Sequence, residues 1–425
     1  LTVLAVFSLS AYYAQSPFVS FMYAEPSSEK LITVIAGFML MIVSASVLRK
    51  ASIASALLYG IVFSGAVSGL ANILQLGFDI HPWSLFAAFA DGKEFNVVGT
   101  MRGVSLLYTI LLSMSIVLLF STVARAVARW IIYALGACSV IFMLNLLFIN
   151  FWISWIALFI TIILLFGLMI RYIHKNVPEH TASSPEGSNY TLMRSCFYCL
   201  SAALIFVMAL SGTMAYMSTY TDYPSPFQRE LSAEVTPSLR ETASIASNLY
   251  SESWKTSLLG SGPASFIGNW SRYRDISVND TFFWGARFTQ GFSWFSTLLS
   301  TVGVAGTGLF VIFALVALFV SVRLIAKDAM DEETQSVSLA AAVGFIAVII
   351  TGFLYPAMLT FIFLFFLLAG ILLGLLAKDP HLAEVSDMTA DDEKETISTG
   401  IDVLPLEGRA GDEREKIIAS GQFDF

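Results

Sequence analysis

The sequence predicts an all-α fold: a polytopic bundle of transmembrane helices with one large, partly helical loop outside the membrane. Hydrophobic residues make up 56% of the chain and charged residues only 13%, against roughly 25% charged in a soluble domain. Apolar runs close to the ~20 residues that cross a hydrocarbon core recur along its length. One long polar stretch, 218–291, interrupts them; a connection of that size is functional or unstructured, and its many aromatics argue against disorder.

In order, the runs are Leu1 to Ala14, Leu31 to Leu48, Ile53 to Gln75, Thr100 to Val123, Trp130 to Ile149, Trp152 to Ile170, Cys196 to Tyr216, Phe292 to Val322, Leu339 to Leu354 and Met358 to Leu376. By length they give about ten spans, all within a membrane domain covering 1–376. Lys and Arg fall on alternate connections: Arg49 and Lys50, Arg125 and Arg129, Arg171 and Lys175 with Arg194, Arg323 and Lys327, and Lys378. The positive-inside rule makes those sides cytoplasmic. The connections Gln15 to Lys30, Gly77 to Gly99, the turn at Asn150, the 218–291 loop and the turn at Tyr355-Pro356 then face outward, and both ends are cytoplasmic. Leu1 stands in an apolar run with no Met or basic stretch before it, which reads as a fragment or a trimmed product rather than a signal peptide.

The net charge of −8 belongs to a tail. Residues 377–425 carry thirteen acidic and five basic side chains, leaving the remainder neutral. Asp391-Asp392-Glu393-Lys394-Glu395 and Asp412-Glu413-Arg414-Glu415 read as a solvated, disordered cytoplasmic extension. Cys196-Phe197-Tyr198-Cys199 has C-x-x-C spacing without the strand that a redox motif needs, and Cys138, Cys196 and Cys199 read as small packing residues. His81, His174, His180 and His381 are scattered, none with a helical partner four residues away. No metal, cofactor or nucleic-acid partner is expected.

Within the loop, Pro237 suits a first helical turn, and Ser238 with Glu241 makes an S-x-x-E capping box. The spacing of Leu239, Ala243, Ala246, Leu249 or Tyr250, Trp254 and Leu258 predicts one amphipathic helix. Gly260 is its left-handed C-cap, with Pro263 beyond. Arg240 in the first turn reads either as a surface cation paired with a carboxylate or, joined to the free N–H groups there, as an anion site. Trp270-Ser271-Arg272-Tyr273-Arg274-Asp275 and Phe282-Phe283-Trp284-Gly285-Ala286-Arg287-Phe288 interleave aromatics with arginine. An interfacial belt with snorkelling arginines and a cleft that stacks sugars and clamps anions both fit; five arginines, Arg229 included, exceed what a belt requires.

The order of these pieces resembles the O-antigen ligase and polymerase superfamily of bacterial envelope glycan enzymes. Pro237 to Ala243 matches the Arg-bearing helix that opens that family's large loop. Leu258-Leu259-Gly260-Ser261-Gly262-Pro263-Ala264-Ser265-Phe266 matches its Gly-x-Gly stretch, and Gly291 to Gly306 its next span, ending Gly303-Val304-Ala305-Gly306. Ala14 to Phe21 and Phe95 to Thr100 are similar to its shorter outward loops. Where the ligases place a histidine that activates the acceptor, this chain has Phe292, Ser293 and Trp294.

The resemblance implies transfer of a glycan from a polyprenyl-diphosphate carrier to a glycan, lipid or protein acceptor at the outer face of the bacterial plasma membrane, without a metal. Arg240 and Arg287 would clamp the diphosphate with help from Arg272 and Arg274, a charge-stabilising task suited to guanidinium groups. Trp270, Tyr273, Trp284 and Trp294 would line the sugar path. Glu241 or Asp280 would take the acceptor proton, although an ordinary carboxylate is a weak base. Two alternatives stay open: a flippase or transporter of lipid-linked glycan, against which the scarcity of ionisable residues in the spans argues, and a catalytically inactive assembly protein.

Overall fold

The computed structural model describes residues 2–14, 16–22, 28–85, 92, 94–124, 129–176, 205–217, 234–281, 283–326 and 331–377. Cys196, Cys199, His180, Arg194, Arg229, Lys327, His381 and the acidic tail fall outside these residues, as do the side chains of Arg171, His174 and Lys175. The chain divides into two units, Leu1–Leu376 and Ala377–Phe425.

Among the described residues the first unit is helical, with no strand. Among the described residues six helices are long and apolar enough to cross a membrane: α4 (Ala51–Phe78), α5 (Met101–Ala124), α6 (Arg129–Ile149), α13 (Gly303–Ala326), α14 (Glu332–Leu354) and α15 (Leu359–Leu376). This is an all-helical membrane protein. Among the described residues the length criterion gives six such helices where the sequence suggests about ten spans; each of the other four runs contributes a described apolar stretch of fewer than 18 residues. These are α1 (Thr2–Tyr12), α3 (Leu31–Val47), the apolar part of α7 (Trp152–Asn176) and α8 (Ile205–Met217).

Helices α5 and α14 form the centre. The apolar window of α5 is 94% buried and that of α14 78%; α5 packs on α4, α6, α7 and α14, and α14 also on α13 and α15. Such enclosure requires hydroxyls to be satisfied locally. Thr109, Ser113 and Thr122 each bond the carbonyl four residues back, and Ser105 donates to Ser154 Oγ at 2.8 Å across to α7. Helices α3 and α15 meet more closely still. A Cβ at Gly370 would lie 2.6 Å from the Met41 carbonyl oxygen, and one at Gly374 2.7 Å from that of Ala45, so this small-x-x-x-small pair lets two backbones touch.

An aromatic cluster of Trp294, Phe295, Phe310, Phe313, Phe365 and Phe366 fills the space between α13, α15 and the helix entering α13. The expected tight turn between α6 and α7 is centred on Asn150 (φ 46°), whose side-chain oxygen accepts from Trp155 Nε1 at 2.9 Å.

Candidate functional site

The polar segment is organised by short helices: α9 (Leu239–Glu252), α10 (Trp254–Leu259), α11 (Phe266–Tyr273) and α12 (Trp294–Thr301), and α2 (Pro17–Phe21) shares a cleft with α9 and α11. The expected capping box is present. Ser238 N–H donates to Glu241 Oε2 at 2.8 Å, and Glu241 N–H donates to Ser238 Oγ at 3.1 Å. The single amphipathic helix anticipated from there to Gly260 is two helices, because Ser253 is extended (φ −162°, ψ 149°) and its hydroxyl accepts from Lys255 N–H. Thr256 and Ser257 hydroxyls then reach back to the carbonyls of Leu249 and Tyr250, at 2.9 and 3.0 Å, satisfying acceptors that a helix end leaves open. The buried face of α9 is Thr242, Ile245, Ala246 and Leu249. Leu239, Trp254 and Leu258 from the expected stripe are exposed.

Two glycine-punctuated patterns, forty residues apart, meet face to face. Gly260 (φ 68°, ψ −159°) and Gly303 (φ 69°) adopt backbone that side chains rarely take. A Cβ on Gly260 would lie 2.4 Å from the Thr301 carbonyl oxygen, and one on Gly303 2.4 Å from that of Leu258. Gly262 N–H donates to Thr301 O at 2.7 Å, and the Ser261 hydroxyl donates to Ser300 O at 3.1 Å. This contact fixes the Gly-x-Gly turn against α12 and α13. Helix α9 is fixed to the same region: Tyr250 OH donates to Leu299 O at 2.7 Å, and Thr242 Oγ1 accepts from Phe292 N–H at 3.0 Å.

A cleft of about 140 Å³ opens where α2, α9, α11 and this turn converge. Ser16, Ser20, Ser261, Ser265, Asn269, Arg272 and Tyr273 supply its polar lining, and Val19, Leu249, Ile267 and Gly268 the rest. Ser261 and Ser265 hydroxyls lie 2.6 Å apart, and Asn269 Nδ2 donates to Ser261 Oγ at 2.7 Å. Arg272 pairs with Glu252 at 2.6 Å and lies 5.2 Å from the Tyr273 ring centroid. Burial, together with the Glu252 carboxylate, pushes the Tyr273 phenol up to about 12, so it stays a neutral donor.

The other site candidates are distributed as follows. Arg240 is exposed and acts electrostatically on Asp275. The Asp275 carboxyl is held below its usual range, first because it accepts from the Ser277 N–H (2.8 Å) and in smaller part by Arg240. Arg274 donates to the Trp284 carbonyl at 2.6 Å and to Asn279 Oδ1 at 3.0 Å, tying the chain after α11 into a closed turn. Arg287 is exposed and makes no ion pair among the described residues. Glu241 is engaged in the capping box, and Asp280 is exposed at the end of the 3₁₀ turn Ile276–Asp280. Trp270 is buried edge-to-face against Phe288 and donates to Ala286 O at 3.0 Å. Trp284 is 66% exposed, whereas Trp294 is buried in the aromatic cluster. Thus Arg272 and Tyr273 share the cleft, and Arg240, Arg287, Asp280 and Trp284 lie on exposed surface of the segment.

Two polar features escape sequence reasoning. Arg102, which reads as a snorkelling residue at a span end, instead donates to the Glu234 carbonyl at 2.6 Å and lies 5.3 Å from the Phe151 ring. The Glu234 carboxylate accepts from Tyr355 OH, which also bonds Thr100 Oγ1 at 2.9 Å. Burial and that carboxylate raise the Tyr355 phenol above its ordinary range. This knot anchors the chain six residues before Arg240. The second feature is Glu29, 2% exposed before α3, whose carboxyl burial pushes up to about 8. Its neighbour Ser28 donates to Ala357 O at 2.6 Å and accepts from Gln290 Nε2 at 2.9 Å.

His81 Nε2 lies 3.6 Å from Asp79 Oδ1, just past α4. Among the described residues no group of three or more His, Cys, Asp or Glu side chains is placed to hold a metal ion. No family model, curated protein or solved structure matches this chain.

Proposed function

We propose that this chain is a membrane-embedded glycosyltransferase of the O-antigen ligase or polymerase type, taking its glycan from a polyprenyl-diphosphate carrier at the outer face of a bacterial plasma membrane. In this reading the four shorter apolar helices join the six long ones to make ten spans, and the polar segment 218–291 faces outward. The observation that carries it is one segment presenting two exposed guanidinium groups, Arg240 and Arg287, and also lining a hydroxyl-rich cleft through Arg272 and Tyr273. Cations suit the leaving group, and hydroxyls suit the sugar.

The acceptor hydroxyl oxygen attacks the anomeric carbon of the donor sugar. The bond from that carbon to the diphosphate oxygen breaks, and its electron pair leaves with the polyprenyl diphosphate, whose charge Arg240 and Arg287 neutralise. The acceptor proton passes to a carboxylate. Asp280 is free of capping duty, whereas Glu241 already holds the Ser238 N–H through one oxygen. The burden on these carboxylates favours, as the second reading, a chain that binds lipid-linked glycan and assembles with partners without catalysing transfer.

Arg240→Ala and Arg287→Ala variants are expected to insert normally and to leave lipid-linked glycan unconsumed in membranes. Unchanged consumption in both removes the transferase. A transporter would move labelled lipid-linked sugar across proteoliposomes with no new glycosidic bond.

A further inference from the structure

The cleft at the Gly-x-Gly turn is neutral as well as polar. Ser20, Ser261, Ser265, Asn269 and Tyr273 offer uncharged donors and acceptors, and the one lining cation, Arg272, is already met by Glu252 at 2.6 Å. Its volume of about 140 Å³ is close to the roughly 150 Å³ of a cavity that holds benzene, so an open cleft of this size takes one ring with its substituents projecting outward. A purely apolar ligand would gain nothing from this polar lining, in which Ser261, Ser265 and Asn269 already bond one another. A diphosphate would find only one cation, and that one neutralised.

Resting on the transferase reading, we infer that this cleft binds one uncharged pyranose ring of the glycan, and that Glu252 sets the selectivity by holding Arg272. A ring carrying a carboxylate at the Arg272 edge would bring a second negative charge against Glu252, an arrangement that specific sites use for rejection. Arg272 packed along Tyr273 keeps its guanidinium at the rim, where the choice between Glu252 and a ligand acid is made. The neutral ring needs no such exchange. The Ser16, Ser20 and Tyr273 hydroxyls meet it directly.

The test is ligand-observed NMR on the purified full chain in detergent, with methyl glucoside and glucuronic acid as probes. The wild type is expected to bind methyl glucoside in preference to glucuronic acid. Glu252→Gln should shift the preference toward glucuronic acid by about tenfold, and adding Arg272→Gln should abolish that gain. Gly268 lines the cleft with open space around its Cβ position, so Gly268→Leu should fill it and remove methyl glucoside binding while the chain stays folded. Glucuronic acid binding the wild type as well as the neutral sugar, or a Glu252→Gln variant with unchanged preference, overturns the inference. So does methyl glucoside binding that survives Gly268→Leu. Sugar binding as described in a chain without transfer activity would leave this inference standing and remove only the transferase reading.

Discussion

Replacing Glu29 by Gln should stabilise the protein in alkaline solution and leave it nearly unchanged in acid. The Glu29 side chain is 2% exposed, and burial raises its carboxyl from the ordinary 4.5 to about 8. Below pH 4.5 the carboxyl is protonated whether the chain is folded or not, and stability is full. As pH rises, the unfolded chain gives up a proton that the folded chain keeps, so folding becomes less favourable by about 1.4 kcal/mol per pH unit. The loss saturates once pH passes the folded value near 8, at roughly 5 kcal/mol. Gln preserves the shape of the side chain and cannot ionise. Chemical unfolding in detergent, followed by tryptophan fluorescence from pH 4.5 to 9, should show the variant and wild type together at the acid end. The gap should widen to about 3 kcal/mol at pH 7. Parallel curves at all pH values would mean that Glu29 ionises freely in the folded protein and that its burial has been misassigned.

Other perturbations probe the joints that position the segment. Gly303→Ala or Gly260→Ala forces a Cβ to within 2.4 Å of a backbone oxygen at positive φ and should cost on the order of 3 kcal/mol in the same unfolding assay, whereas Gly268→Ala, with space around it and a helical backbone, should be neutral or slightly stabilising. Ser238→Ala removes the cap of α9 and should cost about 1 kcal/mol, with earlier hydrogen exchange confined to its first turn. Tyr355→Phe strips the hydroxyl from Glu234 and Thr100; a loss of about 1–3 kcal/mol and faster proteolysis just before Arg240 are expected, and an unchanged cleavage rate would show that the knot does not restrain this stretch.

Composition and spacing make part of this legible from sequence. Apolar runs mark every long helix because a bilayer demands both length and hydrophobicity, and Ser238 with Glu241 marks the start of α9 because both capping bonds lie within four residues. The break at Ser253 is hidden by an apolar spacing that runs through it, and the burial of Ile245 in place of Leu239 depends on where Phe266, Trp270 and Val278 pack. Each glycine pattern can be seen singly; that Gly260 and Gly303 touch is a property of the folded chain. Gly370 and Gly374 vanish in a uniformly apolar run although they allow α3 and α15 to meet. For Arg102 and Glu29 the local sequence does not signal these roles, because the partner of one and the burial of the other come from segments distant in the chain.

The most direct measurement reconstitutes the purified chain in liposomes with a radiolabelled glycan on polyprenyl diphosphate and an acceptor glycan, and follows both halves of the donor. Transfer predicts free polyprenyl diphosphate appearing in step with label joined to the acceptor, both abolished by Arg240→Ala. Label that crosses the bilayer still attached to its lipid, or donor that stays intact beside a correctly folded protein, would contradict it.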